Sequence, residues 1–251
     1  MMRSLWTAAS GMRAQQVNVD TIANNVANIN TIGYKSQQAS FKSLLYQNLQ
    51  STSTNNAGEN KPVAAEVGLG SRVAAITSTF TQGNLTHVEN PFSVALEGDG
   101  FFQIRTESGE LQYTRDGSFE ISPVANGNML CTSDGNPVLD AYGNQIILPS
   151  NRVATDLVVN QDGTLAFPDG TGNPAVITDA NGRPVKFGIY QFNNPAGLSK
   201  EGSNNYSVTV ASGAAVAENG NAAVKQTKTH QYYTEASNVD VANEMVNLIV
   251  A

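Results

Sequence analysis

Near the amino terminus, apolar residues recur at alternating intervals of three and four. Leu5, Met12, Val19 and Val26 share one heptad position, and Ala8, Gln15, Ile22 and Ile29 fall three residues later. Seven of these eight are apolar, a pattern that predicts a helix with one continuous seam. Polar Gln16, Asn18, Asp20 and Asn25 occupy its other faces. The helix is expected to stop at Thr31-Ile32-Gly33-Tyr34, where glycine supplies the usual helix-ending conformation. At the carboxyl end Val239, Ala242, Val246 and Ile249 repeat the spacing, flanked by Met245 and Leu248. Ser237 followed by Asp240 reads as a capping pair, with Asp in place of the more usual Glu.

Two core helices of one globular domain would give the same pattern. The sharper expectation is that the two ends pair as a coiled coil and extend it to neighbouring subunits, because one isolated helix cannot bury such a ridge. The apolar pattern is still running at Ala251 with no stop signal, which predicts that the natural helix continues.

Between the ends the period changes to two. Phe101 to Arg105, Leu111 to Thr114 and Phe119 to Ile121 read as short strands, as do runs at 145–148, 156–159, 185–192 and 206–210. Asp-Gly pairs begin at residues 99, 116, 134, 162 and 169, and Asn-Gly pairs at 126, 181 and 219. Both dipeptides tolerate the positive φ that tight hairpins need, so they are read as turns in an antiparallel domain. The fold class expected is therefore mainly β with terminal α-helices. The polar stretch from Gln47 to Ala65 reads as a flexible linker, and Ala211 to Asn221 as a mobile loop.

Charge and chemistry narrow the function. The 251 residues carry 14 Lys+Arg against 21 Asp+Glu, a net charge of −7, which disfavours nucleic acid and anionic membrane surfaces as partners. Charged residues make up only 14% of the chain, against roughly 25% in ordinary soluble proteins. Cys131 alone permits no internal disulfide, and it sits in a strand-like run where a small buried hydrophobe is expected. His87 and His230 have no partners nearby in sequence. No apolar run approaches the roughly 20 residues of a membrane span, and the first 20 residues lack a secretory h-region. Gly68-Leu69-Gly70 and Gly98-Asp99-Gly100 lack the third glycine of a dinucleotide fingerprint. No calcium-loop, zinc or nucleophile-elbow pattern occurs, so no catalytic, metal or cofactor residue is assigned. Carboxylates on β turns could still meet in space as a carbohydrate-cleaving pair.

Four stretches in order resemble the bacterial flagellar rod and hook proteins. They are Ser4 to Gln16 with Ile22 to Lys35, Val94 to Phe102 with Tyr113 to Phe119, Asn194 to Leu198, and Glu235 to Asp240 with Glu244 to Ile249. Asn24, Asn25, Asn28, Gly33 and Tyr34 belong to the first motif. Within the family, the chain is most similar to distal-rod subunits, whose insertion ahead of Val67-Gly68-Leu69-Gly70 the stretch at about 46–65 resembles. Family members continue past the position of Ala251 with a long helix.

The resemblance implies a non-enzymatic subunit exported by the flagellar type III apparatus without a cleaved signal. It implies self-assembly into a rigid hollow helical rod in the basal body, with proximal rod and hook proteins as partners. The expected organisation is an N-terminal coiled-coil helix (1–33), a connecting segment (34–90), an antiparallel β domain (91–210), a return connection (211–235) and a C-terminal coiled-coil helix from 236. Leu5, Met12, Val19, Ile22, Val26 and Ile29 are expected to pair with Val239, Val246 and Ile249, within or between subunits. The alternatives are a hook or proximal-rod subunit, or an extracellular β domain that binds or cleaves carbohydrate.

Overall fold

The computed structural model describes residues 2–50, 65–124, 127–150, 152–169, 173–179, 182–221 and 224–251. Its chain divides into two compact units. The first gathers residues 1–27, 37–79 and 240–251, and the second gathers 28–36 and 80–239.

In the first unit, helix α1 spans Met2–Ala27. It stops short of the predicted end. Asn28 and Thr31 bond to each other through backbone and side chain, a local alternative to helix that these residue types favour. Strand β1 (Gln37–Ser43) pairs antiparallel with β4 (Ser71–Ser78), with a bulge between Ser40 and Phe41. Strand β2 (Tyr46–Gln50) pairs with β3 (Ala65–Gly68). The ends of the polar stretch read as a linker therefore form a ribbon, while residues 51–64 lie outside the described residues. Helix α2 (Val241–Val250) is capped by Asp240, whose side chain accepts from the Ala242 amide. Ser237 is not the cap; its hydroxyl accepts from Val239 N instead.

Helix α1 packs against β1, β4 and α2. The two helices lie antiparallel, with Gln15 Nε2 donating to the Ala251 carbonyl and Asn25 Nδ2 to Glu244 Oε1. They meet through these polar groups rather than through an interdigitated apolar seam, because Val246 and Ile249 on α2 remain exposed.

The second unit is antiparallel throughout its described strand pairs. Its largest sheet has six strands in the order 199–202, 205–207, 111–114, 101–105, 189–191 and 216–217. The strand at 101–105 explains the buried pair Phe101-Phe102. Alternation sends Phe102 and Ile104 into the main core with Val94, Leu130, Val138, Leu165 and Phe187. Phe101 faces the other way, into a satellite cluster of Tyr113, Phe192 and Tyr206.

The runs predicted at 145–148 and 156–159 are shorter than expected. Their strands are Ile147–Leu148 and Val158–Val159, and Asp156 lies in a 3-10 turn. Cys131 is buried in the strand 127–131, its thiol directed at the Glu120 carbonyl. The segment read as a mobile loop holds a short strand at Val216–Ala217 and the buried Ser212 and Glu218.

Not every Asp-Gly pair marks a turn. Gly135 and Gly163 have φ of 84° and 75° at hairpin tips, as expected. Gly117 is instead required by packing, since a Cβ there would collide with the Val94 carbonyl oxygen. At Gly100 a Cβ would come within 2.7 Å of Glu218 Oε1. The pairs at 126, 169 and 181 each include a residue outside the described ones.

Candidate assembly surfaces

The predicted seam divides along α1. Ile22 is buried and Val19 and Val26 are half-buried, while Ile29, also half-buried, lies beyond the end of α1 at Ala27 and so is not on the seam. Leu5 and Met12, on the first half, are 68% and 69% exposed, and Trp6 beside them is 72% exposed. On α2, Val246 and Ile249 are 58% and 83% exposed, while Val239 in the second unit is half-buried. Leu45, Tyr46, Leu49 and Val67 add exposed apolar area on the β2–β3 ribbon. A groove lined by Thr7, Ala8, Val67 and Leu69 runs between that ribbon and the start of α1. Exposed apolar side chains gathered along such a groove make this face a candidate contact surface.

Local chemistry fixes the ribbon to the helix. Gly70 has φ of 113°, and a Cβ there would collide with the Ser10 hydroxyl, which accepts from Ser71 N at 3.4 Å. Gly68-Leu69-Gly70 is thus a site of close backbone approach.

The motif asparagines are not equivalent. Asn25 is buried and closes the corner between α1 and β1, its Oδ1 accepting from Gln37 N and its Nδ2 donating to Gln37 O, each at 2.8 Å. Asn24 is exposed and Asn28 half-buried. Gly33 has φ of 69° and lies against the Arg115–Asp116 backbone, so a Cβ there would approach Asp116 N at 2.9 Å. Tyr34 is buried beside it.

The second unit also contains a charged cluster that the sequence reading missed. Lys35 Nζ donates to Glu235 Oε1 at 2.6 Å, and Arg115 Nη1 to Glu235 Oε2 at 3.4 Å, with all three side chains essentially inaccessible. Lys35 Nζ also donates to the Thr81 carbonyl, and Gly83 N to Glu235 Oε1. The Arg115 guanidinium lies 4.9 Å from the Phe101 ring centroid, a favourable cation–π distance. Burial pushes the Lys35 ammonium below its ordinary pKa, outweighing the opposing pull of Glu235. It lowers Arg115 in the same way. The nearby Tyr206 phenol is pushed up to about 12, chiefly by burial.

These residues sit 120 and 200 positions apart in the chain. Two hints of them stand in the sequence: all three lie in the family-resembling stretches, and each charge follows a Tyr-containing run, Tyr34-Lys35, Tyr113-Thr114-Arg115 and Tyr233-Thr234-Glu235. His230 likewise gains a partner only in space, with Nε2 2.7 Å from Glu97 Oε2. The buried carboxylates are occupied locally: Asp140 accepts from the amides of Tyr142 and Asn144, and Glu218 from Thr227 and Gln191. Among the described residues no group of three His, Cys, Asp or Glu side chains is placed to hold a metal.

Three segments match known families. Residues 5–35 match the flagella basal body rod protein family, residues 95–167 the D1 domain of the flagellar hook protein FlgE/F/G, and residues 230–251 the C-terminal region of the flagellar basal body rod FlgEFG proteins. Over the whole length, the chain is similar to the flagellar basal-body rod protein FlgG of Borreliella burgdorferi, at 40% identity covering 100% of this chain and 90% of that one. The FlgG of Agrobacterium fabrum is 38% identical with the same coverage. The FlgG of Buchnera aphidicola from Acyrthosiphon pisum is 35% identical, covering 99% of this chain and 90% of its own. Matches of this identity across the whole chain, joined to helical ends that carry exposed apolar ridges, place it among the flagellar basal-body rod proteins.

Proposed function

We propose that this rod protein is a subunit of the distal rod, polymerising through its terminal helices into a stiff hollow shaft that carries torque from motor to hook. The observation that carries this reading is the uncovered half of the seam: Leu5 and Met12 on α1, and Val246 and Ile249 on α2, present apolar side chains to solvent. Burying a fully exposed Leu, Met, Val or Ile is worth about 1.5–3 kcal/mol each, so a row of them gives a strong drive to associate. A second copy offers the matching ridge, and repetition of one such contact by a fixed rotation and rise builds a helix. Coiled-coil pairing between copies would cover Leu5 and Met12, and the half-buried Val19 and Val26, with Val246 and Ile249 of neighbours, while Ile22 is already covered within the chain. The low charge of the chain suits this stacking, because like charges repeated along a filament repel. Proximal rod and hook subunits would meet the two ends of the polymer, and the flagellar export apparatus would deliver the chain.

The test uses ridge positions that are exposed in the single chain. Met12→Asp and Val246→Asp leave the carboxylate in water in the monomer, so thermal unfolding should move by no more than about 0.5 kcal/mol. In a packed seam the same carboxylate is unpaired and expensive. Sedimentation of purified protein should then show no polymer, and cells carrying either variant should lack rods beyond the proximal section. Normal swimming by cells with Met12→Asp would remove the ridge from the assembly.

A further inference from the structure

The chain passes between its two units at 27/28, 36/37, 79/80 and 239/240. Within the second unit, the segments beside these crossings are tied to one another by two side chains. Glu235 accepts from Lys35 Nζ and Gly83 N on one oxygen and from Arg115 Nη1 on the other, and its own carbonyl accepts from Gly33 N at 2.8 Å. Three residues on, Asn238 Oδ1 accepts from Ser36 N at 2.7 Å, while its Nδ2 donates to Thr81 Oγ1 at 2.9 Å. One carboxylate and one amide thus join the segment before the first exit (33–36), the re-entering segment (81–83) and the segment before the last exit (235–238).

We infer that Glu235 and Asn238 form a clamp that makes these three boundary segments of the β unit open together as one cooperative piece. Strand ends at a domain boundary ordinarily fray independently, since each has its own few hydrogen bonds. Here the bonds share acceptors: releasing the last segment strips Lys35 and Arg115 of their carboxylate and Gly83 N of its acceptor, and releasing the first takes Lys35 from Glu235 and from the Thr81 carbonyl. That penalty couples them. Glutamate suits the position because its two oxygens accept from several donors at once, and two cations face it. Glutamine would present an N–H₂ to one of those donors. The mechanical use of the clamp, keeping the segments from peeling one at a time while the subunit carries torque, rests on the rod reading; the clamp itself does not.

Native-state hydrogen exchange on the dilute full chain tests it, with the amides of Gly33, Ser36, Gly83 and Ala236 as reporters. All four are hydrogen-bonded within this unit: Gly33 to Glu235 O, Ser36 to Asn238, Gly83 to Glu235, and Ala236 to Asn84 O. Across a denaturant series the four should merge onto one opening isotherm. Four separate isotherms would overturn the clamp without any variant. In E235Q the four should exchange at least tenfold faster, while core amides at 102–104 and 130 keep their protection. Should E235Q lose protection everywhere, Asn238→Ala, at a half-buried position outside the charged group, gives the second reading. It should speed Gly33 and Gly83 at least threefold along with Ser36, although neither amide bonds Asn238. Acceleration confined to Ser36 would overturn the coupling. A monomer that exchanges as expected but never polymerises keeps the clamp and sinks the rod reading.

Discussion

Tyr206 illustrates how one side chain ties stability to pH. Its phenol is buried in the satellite cluster and its pKa is raised from 10 to about 12. The folded chain therefore holds this proton more tightly than the unfolded chain. The resulting stability is complete below pH 10 and is lost as pH climbs toward 12. At 1.36 kcal/mol per pKa unit the loss is on the order of 2–3 kcal/mol. Tyr206→Phe keeps the ring and removes the proton, so across pH 10–12 its unfolding free energy should fall less steeply than that of the wild type. Because Lys35 and Arg115 are common to both proteins, parallel curves would show that Tyr206 does not carry the dependence.

Gly117 makes a steric demand at the same scale. An added Cβ has no room beside the Val94 carbonyl, and that backbone is pinned by Val94 N donating to Gly117 O. Gly117→Ala should cost about 1–3 kcal/mol, as overpacking usually does, read as a lower urea midpoint with an unchanged slope. An unaltered midpoint would mean that the loop shifts freely.

At the scale of elements, α2 depends on its start. With 10 residues it is shorter than isolated helices that persist in water, and Asp240 satisfies one of its leading amides. Asp240→Ala should lower its stability by about 1 kcal/mol, seen as faster exchange in 241–250 with the β unit unchanged. Equal exchange would assign the helix to packing alone. Helix α1 shows the reach and the limit of periodicity. The heptad pattern identified the helix and its apolar stripe from spacing. It did not tell that Ile22 is covered inside one chain while Leu5 and Met12 stay open, because coverage depends on where β1, β4 and α2 lie. The boundary at Ala27 was missed for a similar reason: Gly33 looks like a helix stop, but its positive φ serves a close approach to the Arg115–Asp116 backbone.

The whole molecule joins an unsatisfied surface to a satisfied interior. The first unit leaves apolar ridges on two helices and a ribbon uncovered. The second buries a main core and a satellite cluster and pairs its buried charges internally. A polymer subunit needs both, one face to be completed by copies and one body that keeps its shape while they press on it. On this reading the exposed ridge, and not the β unit, should govern assembly. Mixing Met12→Asp protein into wild-type chains should therefore shorten polymers in proportion to its fraction, as measured by sedimentation.

Residue spacing by itself determined the terminal helices, the antiparallel middle and the buried role of Cys131, and the residues of four ordered motifs carried the resemblance to rod and hook proteins. Those are local properties, set by backbone periodicity and turn chemistry over a few residues. Tertiary structure alone decided which half of the seam is open, which Asp-Gly pairs are packing sites, and that Lys35, Arg115 and Glu235 share one buried site. Such contacts join residues as far as 200 positions apart, and nothing in the local pattern of any of them records which distant partner will neutralise its charge.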